Sequence, residues 1–325
     1  MRTKLIVSAL AGVMAWAGPA FGQEWPTRPI TMVVAYLAGG PVDTVARVVA
    51  SRLSEVLSQQ VVIENVGGAG GMTGASRVAK ATPDGYYLLF GGLANLAQNQ
   101  VLYKKPLYNS ATDFEPVALL TDSPRVLITR KDLPVNTLAE FMAYAKANQA
   151  KMQYSSAGAG SGAHVCAVLL DQVMGTQIAH VPYRGAGPAM QDLMAGRIDF
   201  TCEQISTAFP QIEAGTVKGI AILGLDRVPV VPKLPTAHEQ GLFEFDCSAW
   251  SALAFPKGTP QAIIRRLAQA ASKALDTPSV RERLEAVGVT IVPPERRSPE
   301  YLARFIPHEI EKWTAPIKAS GVQMD

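Results

Sequence analysis

Glycine-rich loops join strand-like runs to helical stretches at three places in this chain. The segments are AYLAGGPVD (35–43), SSAGAGSGAH (155–164) and VPYRGAGPA (181–189). The run that leads into the first loop, ITMVVAYL at 30–37, is apolar throughout, as a strand buried on both faces should be. Strands that alternate with helices in this way predict an α/β protein with parallel-rich sheets.

The alternation occurs in two consecutive sets, and a mostly helical segment follows them. The apolar faces of these last helices need a surface to pack on. We expect the chain to return and to place them against the first set of strands and helices. Its final helix, predicted over 299–319, contains Pro307 and Pro316, which should kink or interrupt it because proline lacks the N–H that a helix interior needs. The predicted strands are 30–37, 60–64, 86–90, 126–129, 152–155, 198–202, 218–223, 251–255 and 289–292.

The composition suits a globular protein of about two domains, with 325 residues, 48% hydrophobic and 18% charged. Its 30 basic and 27 acidic residues give a formal net charge of +3. Binding to nucleic acid or to anionic lipid depends on many clustered cations. The sequence therefore predicts no nucleic-acid partner.

Residues 1–22 have the pattern of a secretory signal peptide: a basic start, an apolar stretch from Leu5 to about Trp16, and small residues at Ala20 and Gly22. A retained membrane anchor would need ~20 apolar residues. We expect cleavage after Gly22 and a periplasmic mature protein.

The glycine loops suit anion binding, because free backbone N–H groups at a helix N-terminus hold an anion that glycine allows to approach closely. The same glycines also suit tight turns that bind nothing. The segment from Gly158 to Ala163 fits the dinucleotide pattern G-x-G-x-x-A, but no acidic residue follows about 20 positions later to hold a ribose. The sequence therefore predicts no nucleotide cofactor.

The sequence contains no complete motif for catalysis or for metal binding. Ser156 and Ser161 lack the flanking glycines of G-x-S-x-G, so we expect them to bond a ligand or to cap the helix near His164. The histidines and cysteines lack the spacing of a zinc site, and no metal is predicted. A secreted hydrolase that uses Ser161 and His164 is kept as an alternative.

A set of motifs in a defined order carries a family resemblance. The order is WPTRPITMVVAYLAGGPVDTVAR, VVIENVGGAGGMTGA, KATPDGYYLLFGG, DFEPVALL, SSAGAGSGAH, HVPYRGAGPAMQDLMAGRIDF and FPKGTP. It resembles the Bug/TctC family, the extracytoplasmic solute receptors of tripartite tricarboxylate transporters. The resemblance covers essentially the whole chain from about Trp25 to the C-terminus.

The resemblance implies a type II periplasmic-binding-protein fold, in which two α/β lobes are joined by two crossings and enclose a ligand cleft. The crossings would fall near Asp122–Arg125 and Asp246–Trp250. Residues 23–124 and 248–325 would form lobe I, and residues 125–247 lobe II. The family also implies a monomer that works with a large and a small integral-membrane subunit.

Members of the family hold one ligand carboxylate through backbone amides and ordered waters at the first glycine loop and at the facing loop of the second lobe. Carried over to this sequence, the ligand-binding residues are Tyr36, Leu37, Ala38, Gly39, Gly40, Pro41, Val42, Asp43, Gly92, Leu93, Asn95, Ser155, Ser156, Ala157, Gly158, Ser161, Gly162, His164, Tyr183, Arg184 and Glu203.

The first loop departs from the family's usual Pro-Phe-x-Pro-Gly-Gly-x-Thr/Ser-Asp. Val42 replaces the hydroxyl residue, which removes one donor from the pocket. Glu203 and Gln204 stand where the family commonly has Asp and Asn. These changes favour a longer aliphatic dicarboxylate or an aromatic acid over citrate. The other replacements in the loop are Ala35, Tyr36 and Ala38.

The leading hypothesis is a periplasmic receptor, not an enzyme, that captures a di- or tricarboxylate or an aromatic acid between two lobes. It would deliver this ligand to a membrane permease of the tripartite tricarboxylate transporter type. A receptor that senses the ligand for a signalling partner is a further alternative.

Overall fold

The computed structural model describes residues 25–325. The predicted signal peptide at 1–22 lies outside the described residues. The described chain forms two sheets, each covered by helices, and none of its helices is long and apolar enough to cross a membrane. Each sheet with its helices is called a lobe below.

The first part of the chain builds most of lobe I. Pro41 begins the first helix at the position where a missing backbone N–H costs nothing. The elements are β1 (Ile30–Val34), α1 (Pro41–Leu57), β2 (Val61–Asn65), α2 (Met72–Ala79), β3 (Tyr87–Gly92), a π-helical turn (Ala94–Gln98), α3 (Asn99–Leu102) and β4 (Phe114–Ser123).

Lobe II follows directly after Pro124. Two of its helices begin at side-chain caps: Thr137 accepts the N–H of Glu140, and Ser161 accepts that of His164. The elements are β5 (Arg125–Arg130), α4 (Leu138–Asn148), β6 (Gln153–Ser156), α5 (Gly162–Met174), β7 (Ala179–Pro182), α6 (Ala186–Met194), β8 (Phe200–Gln204), α7 (Ile205–Glu213) and β9 (Val217–Ile222).

The last part of the chain returns to lobe I, where its first strand lies between β3 and β4. Lobe I therefore contains segments from both ends of the described chain. The elements are β10 (Ala249–Pro256), α8 (Gln261–Leu275), α9 (Pro278–Glu285), β11 (Thr290–Ile291) and α10 (Pro299–Ala319).

Both sheets are mixed. Their strand orders are β11-β4-β10-β3-β1-β2 in lobe I and β7-β6-β8-β5-β9 in lobe II. β10 pairs antiparallel with β3 and β4, and β5 pairs antiparallel with β8 and β9. The predicted two-lobe α/β fold is confirmed. Each sheet has one reversed strand in its interior, and the lobe I sheet has a second, β11, at its edge.

The interior reversed strands follow from the way the chain crosses between lobes. β4 ends at Ser123 and β5 begins at Arg125, so one residue separates the last strand of one sheet from the first strand of the other. A strand that leaves the carboxyl edge of one sheet and enters the carboxyl edge of the facing sheet must run against its new neighbours. The same holds for β10 after the second crossing. The two carboxyl edges therefore face each other.

Helix α10 runs without interruption through both of its prolines, so of the two predicted effects, a kink or an interruption, the interruption is wrong. Each proline leaves unbonded the carbonyl four residues earlier, at Ala303 and Lys312. Both of these residues are exposed. Water can therefore act as the hydrogen-bond partner for the two carbonyl groups, so the helix continues through these positions without leaving a buried polar group unbonded.

A buried carboxylate connects α10 to β10, the strand that follows the second crossing. Glu309 is 5% exposed, and its Oε2 accepts the indole N–H of Trp250 at 2.8 Å and that of Trp313 at 3.4 Å. Trp250 lies at the beginning of β10. The contact therefore holds the last helix against the strand that lobe I receives from lobe II.

We expect Glu309→Ala to lower the free energy of unfolding by about 1–3 kcal/mol, because it leaves two buried indole N–H groups without an acceptor. Urea unfolding followed by tryptophan fluorescence measures this. Glu311→Ala, on the exposed face of the same helix, is the matched control and should change stability by less than about 0.5 kcal/mol. Equal losses in the two variants would contradict the role given to Glu309.

Candidate functional site

A cavity lies between the facing carboxyl edges of the two sheets. Its interior, counted as the space open to the centre of a water molecule, is about 50 Å³. One water needs ~10–15 Å³ on this measure, so the cavity has room for several waters or one small organic molecule. Its walls come from both lobes: Tyr36, Leu37, Gly40, Pro41, Val42, Gly91, Gly92, Leu93, Ala94, Asn95, Arg125, Ala157, Ser161, Gly162, Ala163, Ala186, Glu203, Gln204, Ala249, Trp250 and Ser251.

Four helices begin at this cavity. The first residues of α1, α5 and α6 line it, and so does Gln204, the N-cap of α7. The first turn of a helix has backbone N–H groups without partners in the helix, and each N-terminus carries a partial positive charge equivalent to roughly half an elementary charge. The backbone alone therefore makes the cavity favourable for an anion.

The first glycine loop is held in place from behind by Asp43. Its Oδ2 accepts the N–H of Gly39 at 2.9 Å and the Nε–H of Arg47 at 2.8 Å, and its Oδ1 accepts Nδ2–H of Asn65 at 2.9 Å. Burial alone would raise the pKa of Asp43, but the hydrogen bonds outweigh it and hold the pKa below its usual value. Asp43 is therefore an ionised brace of the loop and not a wall of the cavity.

The facing loop of lobe II rests on two stacked histidines. The rings of His164 and His180 lie 4.1 Å apart, His180 Nε2 lies 2.7 Å from Ser156 Oγ, and His164 Nδ1 accepts the N–H of Gly160 at 3.2 Å. Burial lowers the pKa of His164 to about 4 and that of His180 to about 3, with His164 adding to the effect on His180. Both rings are neutral near pH 7 and hold the loop by hydrogen bonds.

Ser161 and His164 do not form a nucleophile and base pair through the bonds that the structure shows. Ser161 Oγ accepts the main-chain N–H of His164 at 3.4 Å, while the ring of His164 accepts the N–H of Gly160. Ser161 is the cap of α5. The geometry gives it the helix-capping role that the sequence analysis offered against the hydrolase alternative.

A buried cation, Arg125, lies in the wall of the cavity. It is 5% exposed, and its Nη1 donates to the carbonyl of Cys202 at 3.3 Å. A Cβ added to Gly162 would lie 2.2 Å from its Nη2, so the guanidinium lies directly against the first residue of α5. Among residues 25–325 no carboxylate oxygen lies within 4.0 Å of Arg125. Arg125 therefore forms no ion pair with these residues, although the carboxylate of Glu203, also in the cavity wall, lies near enough to interact with it electrostatically.

The structure brings together many of the predicted ligand-binding residues. Those that line the cavity are Tyr36, Leu37, Gly40, Pro41, Val42, Gly92, Leu93, Asn95, Ala157, Ser161, Gly162 and Glu203. Those placed elsewhere are Ala38, Gly39, Asp43, Ser155, Ser156, Gly158, His164, Tyr183 and Arg184. Wall residues that the sequence analysis did not name as ligand-binding are Gly91, Ala94, Arg125, Ala163, Ala186, Gln204, Ala249, Trp250 and Ser251.

The predicted ligand-binding residues that do not line the cavity lie at other positions in the two lobes. Ala38 and Gly39 lie on the exposed side of the first loop, and Ser155 is a fully buried residue of β6. Gly158, Tyr183 and Arg184 line a separate groove at the mouth between the lobes, together with the loop 67–71 and the C-terminus.

The lobes touch each other beside that groove. A Cβ added to Gly70 of lobe I would lie 2.4 Å from the carbonyl carbon of Gly160 in lobe II, so the two backbones are in direct contact. Only glycine leaves room for so close an approach. On the other side of the first loop, Ala186 Cβ would lie 3.7 Å from a Cβ added to Gly40. The lobes are therefore closed over the cavity in this structure.

The histidine pair makes stability fall in acid. Both folded-state pKa values lie below the ordinary value of 6.5, so between about pH 6.5 and pH 4 the unfolded chain binds more protons than the folded one. One proton of difference corresponds to at most ~1.4 kcal/mol per pH unit, and partial exposure of His180 reduces its share. We expect the free energy of unfolding to fall between pH 7 and pH 5, and His180→Gln to reduce that fall.

Urea unfolding at several pH values measures the fall. His308→Gln is the matched control, because His308 is exposed. An equal dependence on pH in the unchanged protein and in both variants would exclude His180 as a source of the fall.

Comparisons with known proteins agree with this geometry. Residues 45–322 match the family model described as the tripartite tricarboxylate transporter family receptor, TctC. An Agrobacterium vitis protein, named as the UPF0065 protein in the TAR-I ttuE-ttuC' intergenic region, is 40% identical over 324 residues, which cover 99% of this chain and 92% of that protein.

Two solved structures are similar over their full lengths. The periplasmic binding protein BugD has a TM-score of 0.90 at 36% identity, covering 93% of this chain and 100% of its own. MatC from Rhodopseudomonas palustris, solved with bound malate, has a TM-score of 0.88 at 40% identity, covering 90% of this chain and 100% of its own. The chain therefore belongs to the TctC, or Bug, family of periplasmic solute-binding receptors.

Proposed function

We propose that this protein captures a small organic carboxylate in the cavity between its lobes and delivers it to a membrane permease of the tripartite tricarboxylate transporter type. The observation that carries the proposal is Arg125, a buried cation without a carboxylate partner among the described residues, in a cavity where four helices begin. A ligand carboxylate would form the ion pair that Arg125 does not form with Glu203, and it would accept N–H groups from both lobes.

The energetics favour such a ligand. An unpaired buried charge is costly, and hydrogen bonds between ionised partners are about twice as strong as neutral ones. The cost of an unpaired charge and the strength of a hydrogen bond between ions both increase in a closed cavity from which bulk water is excluded. A carboxylate that bonds Arg125 and the first turn of α5 would therefore stabilise the closed arrangement of the lobes, and the closed form is what a permease could recognise.

Small carboxylates also suit the size and walls of the cavity. Its interior of about 50 Å³ is lined by glycine, alanine and apolar residues together with a smaller number of polar and charged side chains, which leaves room for an aliphatic or aromatic acid and little for a bulky one. The similar receptor MatC was solved with malate, a dicarboxylate. We therefore propose dicarboxylates as the first ligands to test.

Further parts of the proposal concern place and organisation. The pattern of residues 1–22 and the periplasmic relatives support export to the periplasm. We propose lobe I as residues 23–124 and 248–325 and lobe II as 125–247, because β5 begins at Arg125 and β10 at Ala249. We propose a monomer that meets large and small membrane subunits.

Replacement of Arg125 should separate this proposal from its rivals. We expect Arg125→Met to weaken the binding of a carboxylate by about 10- to 100-fold, the value of a hydrogen bond to a charged group. Isothermal titration of residues 23–325 with malate, succinate, adipate, citrate and benzoate measures this. Arg184→Met is the matched control, because Arg184 lies in the outer groove and should leave affinity nearly unchanged.

A second variant tests the same point without removing the charge. Gly162→Ala places a methyl group 2.2 Å from the present position of Arg125 Nη2, so the guanidinium must move, and affinity should fall. Gly187→Ala, in the first turn of α6 with no atom within 4 Å, is its control. No binding of any acid in the panel by the unchanged protein would refute the proposed function.

A further inference from the structure

A carboxylate stands in the wall of this anion-binding cavity. Among the wall residues the charged side chains are Arg125 and Glu203, and Glu203 is 4% exposed. Glu203 Oε1 accepts the N–H of Gln204 at 2.7 Å. Within the described chain no cationic nitrogen lies within 4.0 Å of its oxygens. Glu203 and Arg125 therefore share the cavity without forming an ion pair.

This arrangement creates a conflict for an anionic ligand. With Glu203 ionised, a bound dicarboxylate would place three negative charges beside the single cation Arg125 in a closed space. Like charges that share a low-dielectric site cannot all remain ionised at low cost, and the group that is easiest to protonate takes up a proton.

We propose that Glu203 takes up a proton when a dicarboxylate binds, so that the receptor binds the dianion together with one H⁺. This inference rests on the proposed function and adds a chemical rule to it. The proton comes from solvent, adds to a carboxylate oxygen of Glu203, and returns to solvent when the ligand leaves. No covalent bond of the ligand changes.

The surroundings of Glu203 favour this group over others. Burial raises the pKa of Glu203, and the nearby charge of Arg125 opposes that rise. Burial also raises the pKa of Tyr36 and lowers that of His164 to about 4, so both are neutral near pH 7 before and after binding. The other titratable groups on the elements packed against β8 are Arg130, Tyr154, Cys166, Asp171, Asp192 and Glu213.

None of those other groups competes with Glu203. Burial raises the pKa of Tyr154 and of Cys166, which keeps both neutral. Asp192 is ion-paired with Arg197, and Arg130 with Asp199. Asp171 is bonded to Thr176 at the far end of α5. Glu213 lies exposed at the far end of α7.

The sign of the effect follows from linkage. If the ligand raises the pKa of Glu203, the complex binds more protons than the free protein does. Affinity for the dianion then increases as the pH falls through the window between the bound and the free pKa, by at most tenfold per pH unit. The histidine pair does not disturb this window, because both rings stay neutral in the folded protein above about pH 5.

Isothermal titration with malate, succinate and adipate in two buffers of different ionisation enthalpy counts the protons taken up. We expect an uptake of up to about one proton, largest at pH values between the free and the bound pKa of Glu203, and an affinity for the dianion that rises as the pH falls. In Glu203→Gln the uptake should be close to zero and the affinity independent of pH. Glu213→Gln, the same change at the exposed end of α7, should behave as the unchanged protein does.

The outcomes separate this inference from the function on which it rests. Tight binding of a dicarboxylate without proton uptake by the unchanged protein would overturn the role of Glu203 and leave the carboxylate receptor standing. The same uptake in Glu203→Gln as in the unchanged protein would also overturn it. If none of the three acids binds, both the inference and the proposed function fail.

Discussion

The two sheets face each other with their carboxyl edges, and this arrangement determines the directions of the strands and the position of the cavity. Because each crossing leaves one carboxyl edge and enters the other, β5 and β10 must run against their neighbours, and the helices that follow the parallel strands must begin at the gap between the lobes. The partial positive charges of four helix N-termini therefore meet at one cavity. The preference for an anion is thus a property of the topology, and any sequence that forms this topology inherits it.

A cavity made mostly of backbone explains how the first loop tolerates its unusual side chains. Val42 in place of a hydroxyl residue removes one donor, but the N–H groups of the loop remain where α1 places them. What must be kept is the support behind the loop. Asp43 supplies it in lobe I through Arg47 and Asn65, and the histidine pair supplies it in lobe II. Polar side chains here hold the backbone, and the backbone faces the ligand.

The sequence predicted those parts of the structure that local patterns control. The glycine loops, most of the order of strands and helices, and capping as one of two roles offered for Ser161 all depend on neighbouring residues. The strands β4 and β7 were not among the predicted strands. Arg125 was missed because its importance arises from the crossing: one basic residue before the apolar run VLIT looks like an ordinary strand end. Only the folded structure shows that Arg125 is buried and that it forms no ion pair with a carboxylate of the described residues. The unbroken α10 was missed for a related reason, since the exposure of Ala303 and Lys312 depends on how the helix packs.

Because the backbone binds the anion and most side chains only support the backbone, few groups remain that can select one carboxylic acid over another. Helix N-termini attract any carboxylate and distinguish poorly among acids, because N–H groups recognise an oxygen and not the carbon skeleton behind it. Selection must then come from the few side chains that reach the cavity, of which Arg125 and Glu203 alone are charged. A buried cation and a buried carboxylate that form no ion pair with each other make the site sensitive to the ligand's charge as well as to its shape. In such a site the number of ionised groups on the ligand, together with the protons available to it, decides which acids bind with the lobes closed.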